Sequence, residues 1–232
     1  MSRSIGTVVQ SPMETLKPLA ALLEPDPRHL MFVIVDASVR EGIRPPTAED
    51  YHAEVAALEL SEHVPETVRS AFAVARMLWL YGWYYWPFHT VAGFQAYLCL
   101  DLALAMKSAQ VDGHGEPQGR TPSLEKSLKR AIDEHWISDE GLPRVQRLKE
   151  RRQHHLEAMP KEWLAGAPSE PEDPQEYCKV FLEIAPHFRN EFAHPKNYWH
   201  GLPGWYLVTL EDVYGLIGQL FPAGVRTSPT TT

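Results

Sequence analysis

Residues 87–108 set the strongest constraint on how this chain can fold. Val91, Phe94, Leu98, Leu102 and Met106 recur at three- and four-residue intervals, which puts them on one face of a helix. Such a face has to be buried against other elements. The stretch before it, residues 65–85, reads as a mostly apolar helix with Val68, Phe72, Ala75, Met77, Leu78 and Leu80. Trp86-Pro87 punctuates it, because the residue before proline avoids helical angles. After the glycine- and proline-rich loop 111–122, Ser123 caps a helix over 124–136. That helix turns Leu124, Leu128, Ala131 and Ile132 inward and Lys126, Lys129 and Arg130 outward.

The remaining segments extend the helical pattern. Residues 12–23 carry leucines and alanines at helical spacing, and Glu24-Pro25-Asp26-Pro27 breaks the run. The apolar run Leu30 to Val35 fits a buried strand or a buried helix. Asp26 as cap, Pro27 at the first position and Gly42 as stop favour a helix over 28–42. Residues 43–46 read as a linker, and Thr47 with Asp50 forms a capping-box pattern ahead of a helix over 47–62. Residues 144–159 read as a polar helix, 165–174 as an acidic, proline-rich loop and 175–184 as a helix with Tyr177, Phe181 and Ile184. Pro186 leads into the stretch 189–195, 196–203 is a loop, 205–209 reads as extended, and Thr209 caps a last helix over 210–221. The Ser/Thr-rich tail reads as disordered. The class is all-α, divided into an N-terminal helical extension (1–64), a helical domain (65–222) and the tail (223–232).

Composition narrows the function. The net charge of −8 argues against broad nucleic-acid binding, which needs a dense array of cations, but leaves room for a local basic cleft. Cys99 and Cys178 lie in apolar segments without metal-type spacing and read as reduced, buried thiols of a cytoplasmic protein. Residues 1–10 lack an export pattern. Arg76, Gly82, Pro87, His89, Gln95 and Asp101 interrupt the most apolar window, so no run of about 20 apolar residues survives and no membrane span is read.

The chemistry concentrates in Arg189-Asn190-Glu191-Phe192-Ala193-His194-Pro195. Arginine holds anionic oxygens with a planar fork of donors, histidine moves protons near neutral pH, and asparagine donates and accepts hydrogen bonds at once. Asn190 and His194 are four residues apart and share a helix face. Arg189 and His194 lie about 140° apart around an ideal helix. They converge only if the helix ends and His194 swings, or if a symmetric dimer supplies the missing group.

Arg-Asn, three residues, then His, with an aromatic before and Pro after, resembles the Arg-X4-His motif of the HEPN superfamily of helical nucleotide- and RNA-associated domains. The order of apolar helices around Leu98–Met106 and Leu124–Ile132, the aromatic run from Trp79 to Trp86, and a late motif-bearing helix also fit. The resemblance covers about residues 65–221, and the chain departs from compact members by its N-terminal extension and by an insertion over 137–174. It implies an antiparallel helical bundle, a homodimer and a metal-independent endoribonuclease of toxin or defence type. Arg189 would stabilise the scissile phosphate, and His194 would act as general base or acid. Asn190 would orient them, and the product would be a 2′,3′-cyclic phosphate. The same resemblance admits a non-catalytic nucleotide-sensing or protein-interaction module.

Asp101 and Glu183 are the acids expected to support Arg189, by pairing with it. In the plain alternative they neutralise it, and His194 only caps a helix C-terminus. Lys196, Arg144, Arg147 and Arg151 are candidate substrate-binding cations, the last three in the one basic concentration of the chain. A charge run is more often a solvated face. His187, His194 and His200 lack a close-spaced metal pair, and no Walker or dinucleotide fingerprint occurs. Neither metal nor cofactor is expected. RNA or a nucleotide is the expected ligand, a second copy the expected partner, and an antitoxin or regulatory protein a candidate one.

Overall fold

The computed structural model describes residues 16–40, 42–117, 122–158, 175–194 and 201–223. Seven α-helices lie among them: α1 (Ala48–Ala56), α2 (Glu66–Tyr81), α3 (Pro87–Val111), α4 (Leu124–Asp133), α5 (Pro143–Ala158), α6 (Glu176–Ala193) and α7 (Pro203–Leu220). A two-stranded antiparallel hairpin, β1 (Ile34–Val35) with β2 (Ile43–Arg44), is the one sheet among the described residues. The fold class is therefore all-α.

α3 is the centre. It packs against α2, α4, α6 and α7, while α5 packs on α7 and α4 on α6. Small residues make this possible. Ala92, Gly93, Ala96 and Ala103 of α3 are buried, and a Cβ on Gly93 would lie 2.7 Å from the Tyr206 ring of α7. By length and composition an apolar window of α3 can cross a membrane, although the interruptions at Pro87, His89, Gln95 and Asp101 read as leaving no span. Half of that window is buried inside the fold. One continuous core joins Tyr51 and Val55 of α1 and Leu58, Leu60 and Val64 beyond it to the bundle residues Phe72, Leu100, Leu128 and Leu216.

Several helix starts follow the expected chemistry. Thr47 and Asp50 form a reciprocal capping box, although α1 ends at Ala56. The Ser123 hydroxyl accepts the Lys126 N–H at the start of α4. Other expectations are corrected. Asp26 and Pro27 start only a 3-10 turn, Pro27–Met31, and the chain then enters the hairpin. Leu30, Met31, Val33 and Val35 are exposed there, so no helical face is buried to hold a longer helix. Gly42, at φ 69°, sits in the left-handed region between the strands. Residues 16–23 hold only the turn Leu19–Ala21, with Leu16, Leu19 and Leu23 exposed. Among its described residues, the N-terminal extension is a strap of turns, a hairpin and the helix α1.

Trp86 takes helical angles (φ −45°, ψ −42°) despite the proline after it, held by burial and by its N–H donating to Asp26 Oδ2 at 3.1 Å. Pro186 does not end the helix at 175–184 but lies inside α6. It costs one backbone hydrogen bond, offset by the burial of Phe181 and Ala185. The span 205–209 is helical rather than extended. Pro203 opens α7 from its first position, Tyr206 is buried against α3, and the Thr209 hydroxyl donates to the Trp205 carbonyl within the helix. Residues 1–15, residues 159–174 of the insertion, Lys196, His200 and the tail after Ala223 lie outside the described residues.

Candidate functional site

Arg189 to Ala193 of the motif form the end of α6, and both ends of that helix are anchored. At its start, Asp139 reaches across from a neighbouring turn. Its two carboxylate oxygens accept the N–H groups of Tyr177 and Cys178, each at 2.8 Å. This is the capping role that Gln175, the local cap residue, leaves unfilled. At the other end, Phe192 packs with Phe94 and Tyr97 of α3, Tyr206 of α7 and Phe188 of α6 itself.

The inward stripe of α6 runs Cys178, Phe181, Ala185 and then Arg189. A guanidinium one turn past a buried alanine is driven toward α3, where it meets Asp101. Arg189 Nε lies 3.5 Å from Asp101 Oδ2, with the two side chains 35% and 19% exposed. Nε makes no direct hydrogen bond, while one terminal nitrogen of Arg189 donates to Asn190 Oδ1 at 3.2 Å. Burial pushes the Asp101 carboxyl above the usual carboxylate range, and the facing guanidinium works against that rise.

Arg189, Asn190 and Asp101 line one cleft of about 1020 Å³ between α3, the start of α4 and α6. Leu98, Leu102 and Ala105 give it an apolar wall, Ser123, Glu125 and Lys126 a polar one. Among its described residues two cations face two acids, so its formal charge is balanced.

His194 stands apart. α6 ends at Ala193, and His194 leaves the helix at φ −136° and ψ 62°, its N–H donating to the Asn190 carbonyl at 2.9 Å. Its side chain is exposed and is not among the cleft's lining residues. The histidine has therefore come off the helical face, while Arg189 and Asn190 remain together. Glu183 is exposed on α6 and does not line the cleft.

The basic concentration of α5 faces elsewhere. Arg144 donates to the Tyr177 hydroxyl at 2.7 Å and lies 3.8 Å from Asp212, and Arg147 pairs with Glu211 of α7. Arg151 is exposed. None of the three is among the described residues of the Arg189 cleft. His187 pairs with Glu191 at 3.6 Å, and no cluster of three or more metal-ligating side chains occurs among the described residues.

Two constellations are invisible to sequence reading. One is a relay in which Arg144 donates to the Tyr177 hydroxyl, which donates to Asp212 Oδ2 at 2.8 Å. Asp212 is buried, and burial pushes its carboxyl up to about 6 against the Tyr177 hydrogen bond. The other is an aromatic box around His29 and His89 at the α2–α3 corner. No local motif signals either, because the partners are 33 to 35 residues apart in the first case and up to 60 in the second. Comparison with family models, curated proteins and solved structures gives no match for this chain.

Proposed function

We propose that the Arg189 cleft binds the phosphate backbone of RNA and that the protein is a HEPN-like, metal-independent endoribonuclease of toxin or defence type, acting as a homodimer in the cytoplasm. The observation that carries the reading is the division of the motif. Arg189 and Asn190 share a cleft wall, and His194 projects from the end of the same helix into solvent. A second copy related by a two-fold axis would bring its own His194 to a partner cleft.

In the proposed step, neutral His194 takes the proton of a ribose 2′-hydroxyl. The 2′-oxygen bonds to phosphorus, the bond from phosphorus to the 5′-oxygen breaks, and the leaving oxygen takes a proton from protonated histidine or water. The products are a 2′,3′-cyclic phosphate and a 5′-hydroxyl. Arg189 exchanges Asp101 for the phosphate as negative charge builds on its oxygens. That exchange is mild, since Arg189 Nε lies 3.5 Å from Asp101 Oδ2 and ion pairs open to solvent contribute roughly 0–1 kcal/mol.

The same pair favours a second reading. With Arg189 facing Asp101 and the cleft balanced in charge, the site also suits a non-catalytic module that senses a nucleotide or, through it, an antitoxin or regulatory protein. Incubation of the purified protein with RNA in excess chelator separates the two. Cleavage that disappears in both His194→Ala and Arg189→Ala supports the nuclease. Nucleotide binding with intact RNA supports the sensor.

A further inference from the structure

The first turns of the N-terminal strap are fastened to the bundle at the corner between α2 and α3. The Asp26 N–H donates to the Trp83 carbonyl at 2.8 Å, and Asp26 Oδ2 accepts the Trp86 N–H. The next residues bring in His29, which is 1% exposed. Its ring stacks on Trp83 at 4.6 Å between centroids. Because a carbonyl can only accept, His29 Nε2–H donates to the Gly82 carbonyl at 3.1 Å. Nδ1 is then the acceptor for the Tyr51 hydroxyl at 2.8 Å. Phe32 stacks on Trp86, with Arg28 above the same indole.

Under His29 lies His89, the third residue of α3, fully buried. Neither of its ring nitrogens has a hydrogen-bond partner. Trp79, Trp86, Tyr51 and His29 surround it at 5.3 to 5.8 Å, and Gly82 leaves it no spare room. A neutral imidazole is accommodated here as an aromatic ring among aromatic edges and faces. A protonated one would bring two N–H donors and a charge into a site with no acceptor. Cation–π attraction from the indoles falls short of the hydration lost.

We propose that His29 and His89 form a proton-sensitive latch: both rings neutral hold the strap on the α2–α3 corner, and protonation releases it and uncovers Trp83 and Trp86. Among the described residues, the ionisable groups around the box are Asp26 and Arg28 from the strap, Tyr51 from α1 with Glu54 bearing on it, and His89 from α3. Burial works against the charged form of Asp26, yet hydrogen bonds from Arg28 and Trp86 bring it down to about 2. It therefore stays anionic throughout the relevant range. Burial lowers His29 against the Gly82 hydrogen bond and takes His89 down to about 3. A base with a depressed folded pKa is fully stabilising above its free value near 6.5 and loses that contribution as pH falls below it.

Hydrogen exchange on the full chain, normalised for intrinsic rates, tests the latch. Between pH 7 and pH 5, His89 alone should lower amide protection of residues 26–32 about 25-fold, the gap between a free pKa near 6.5 and a latched one of about 3. Amides of α7 should change much less. No loss in the strap, or an equal loss throughout the bundle, would overturn the proposal. His89→Phe, which cannot titrate, should flatten the strap's pH dependence to a few-fold, and an unchanged dependence would overturn it too. Should that variant not fold, imidazole NMR of the wild type decides: His89 neutral at pH 5 in the latched state supports the latch, and His89 protonated with the strap still protected refutes it.

Discussion

Replacing Asp139 with alanine should loosen the helix that carries the motif from its far end. Asp139 is 8% exposed, and its two oxygens accept the Tyr177 and Cys178 N–H groups at 2.8 Å each. No side chain within α6 caps that end. Losing a cap costs about 1–2 kcal/mol, and hydrogen bonds to charged groups contribute roughly 1.5–3 kcal/mol each. The Cys178 side chain is almost wholly buried, so water can only partly replace the lost partner at its N–H. The structure therefore predicts a loss of about 3 kcal/mol for Asp139→Ala. Asp139→Asn keeps one acceptor and should lose about half as much. At roughly 2–4 °C per kcal/mol for a chain of this size, the alanine variant should melt about 6–12 °C lower. Urea titration followed by circular dichroism gives the free energy, and hydrogen exchange should show α6 opening ahead of α7. A loss below about 0.5 kcal/mol would refute the reasoning, since it would mean that the two bonds contribute nothing beyond what water supplies.

Asp212→Asn should stabilise the protein at pH 7.5 by up to about 3 kcal/mol, because a carboxyl pushed up to about 6 penalises the fold increasingly as pH rises from 3.8 through that value. Below pH 4 the gain should vanish, which thermal melts at the two pH values would read. Gly82→Ala puts a methyl 2.3 Å from the His89 ring and should cost about 1–3 kcal/mol by overpacking, measured by the same melts. Asp101→Asn should free Arg189 and tighten binding of a short oligonucleotide up to about fivefold at low salt. Unchanged or weaker binding by calorimetry would show that the guanidinium does not face the ligand.

What the sequence conveyed and what it hid follow from the range of the interactions. The spacing of Leu98, Leu102 and Met106, the Thr47–Asp50 box and the Ser123 cap are written within a few residues, and α3, α1 and α4 start where those signals place them, though α1 ends at Ala56 and α4 at Asp133, short of the expected 62 and 136. Leu30 to Val35 misled because an apolar run carries no period of its own. Its strand partner, Ile43–Arg44, read as a linker. Pro186 and Trp205–Thr209 misled because tertiary burial of Phe181, Ala185 and Tyr206 outweighs a local break or extended preference. Within the motif, the 140° offset separates Arg189 from His194 on a continuous helix, and Asp101 was legible as an acid expected to pair with Arg189. The cleft itself was not, because it needs Ser123, Glu125 and Lys126 of α4 beside α6. Nor could Asp139 be found, being 38 and 39 residues from the amides it caps.

If each chain carries half of a site, two inactive variants should complement each other on mixing. Arg189→Ala and His194→Ala, each folded and each inactive alone, are combined under conditions that exchange subunits and assayed on RNA with chelator present. In a two-fold dimer whose sites take Arg189 from one chain and His194 from the other, half of the dimers are mixed, and each of these regains one intact site. Recovery of about one quarter of wild-type cleavage is expected. Chelator-resistant cleavage by the wild type with no recovery in the mixture would contradict it.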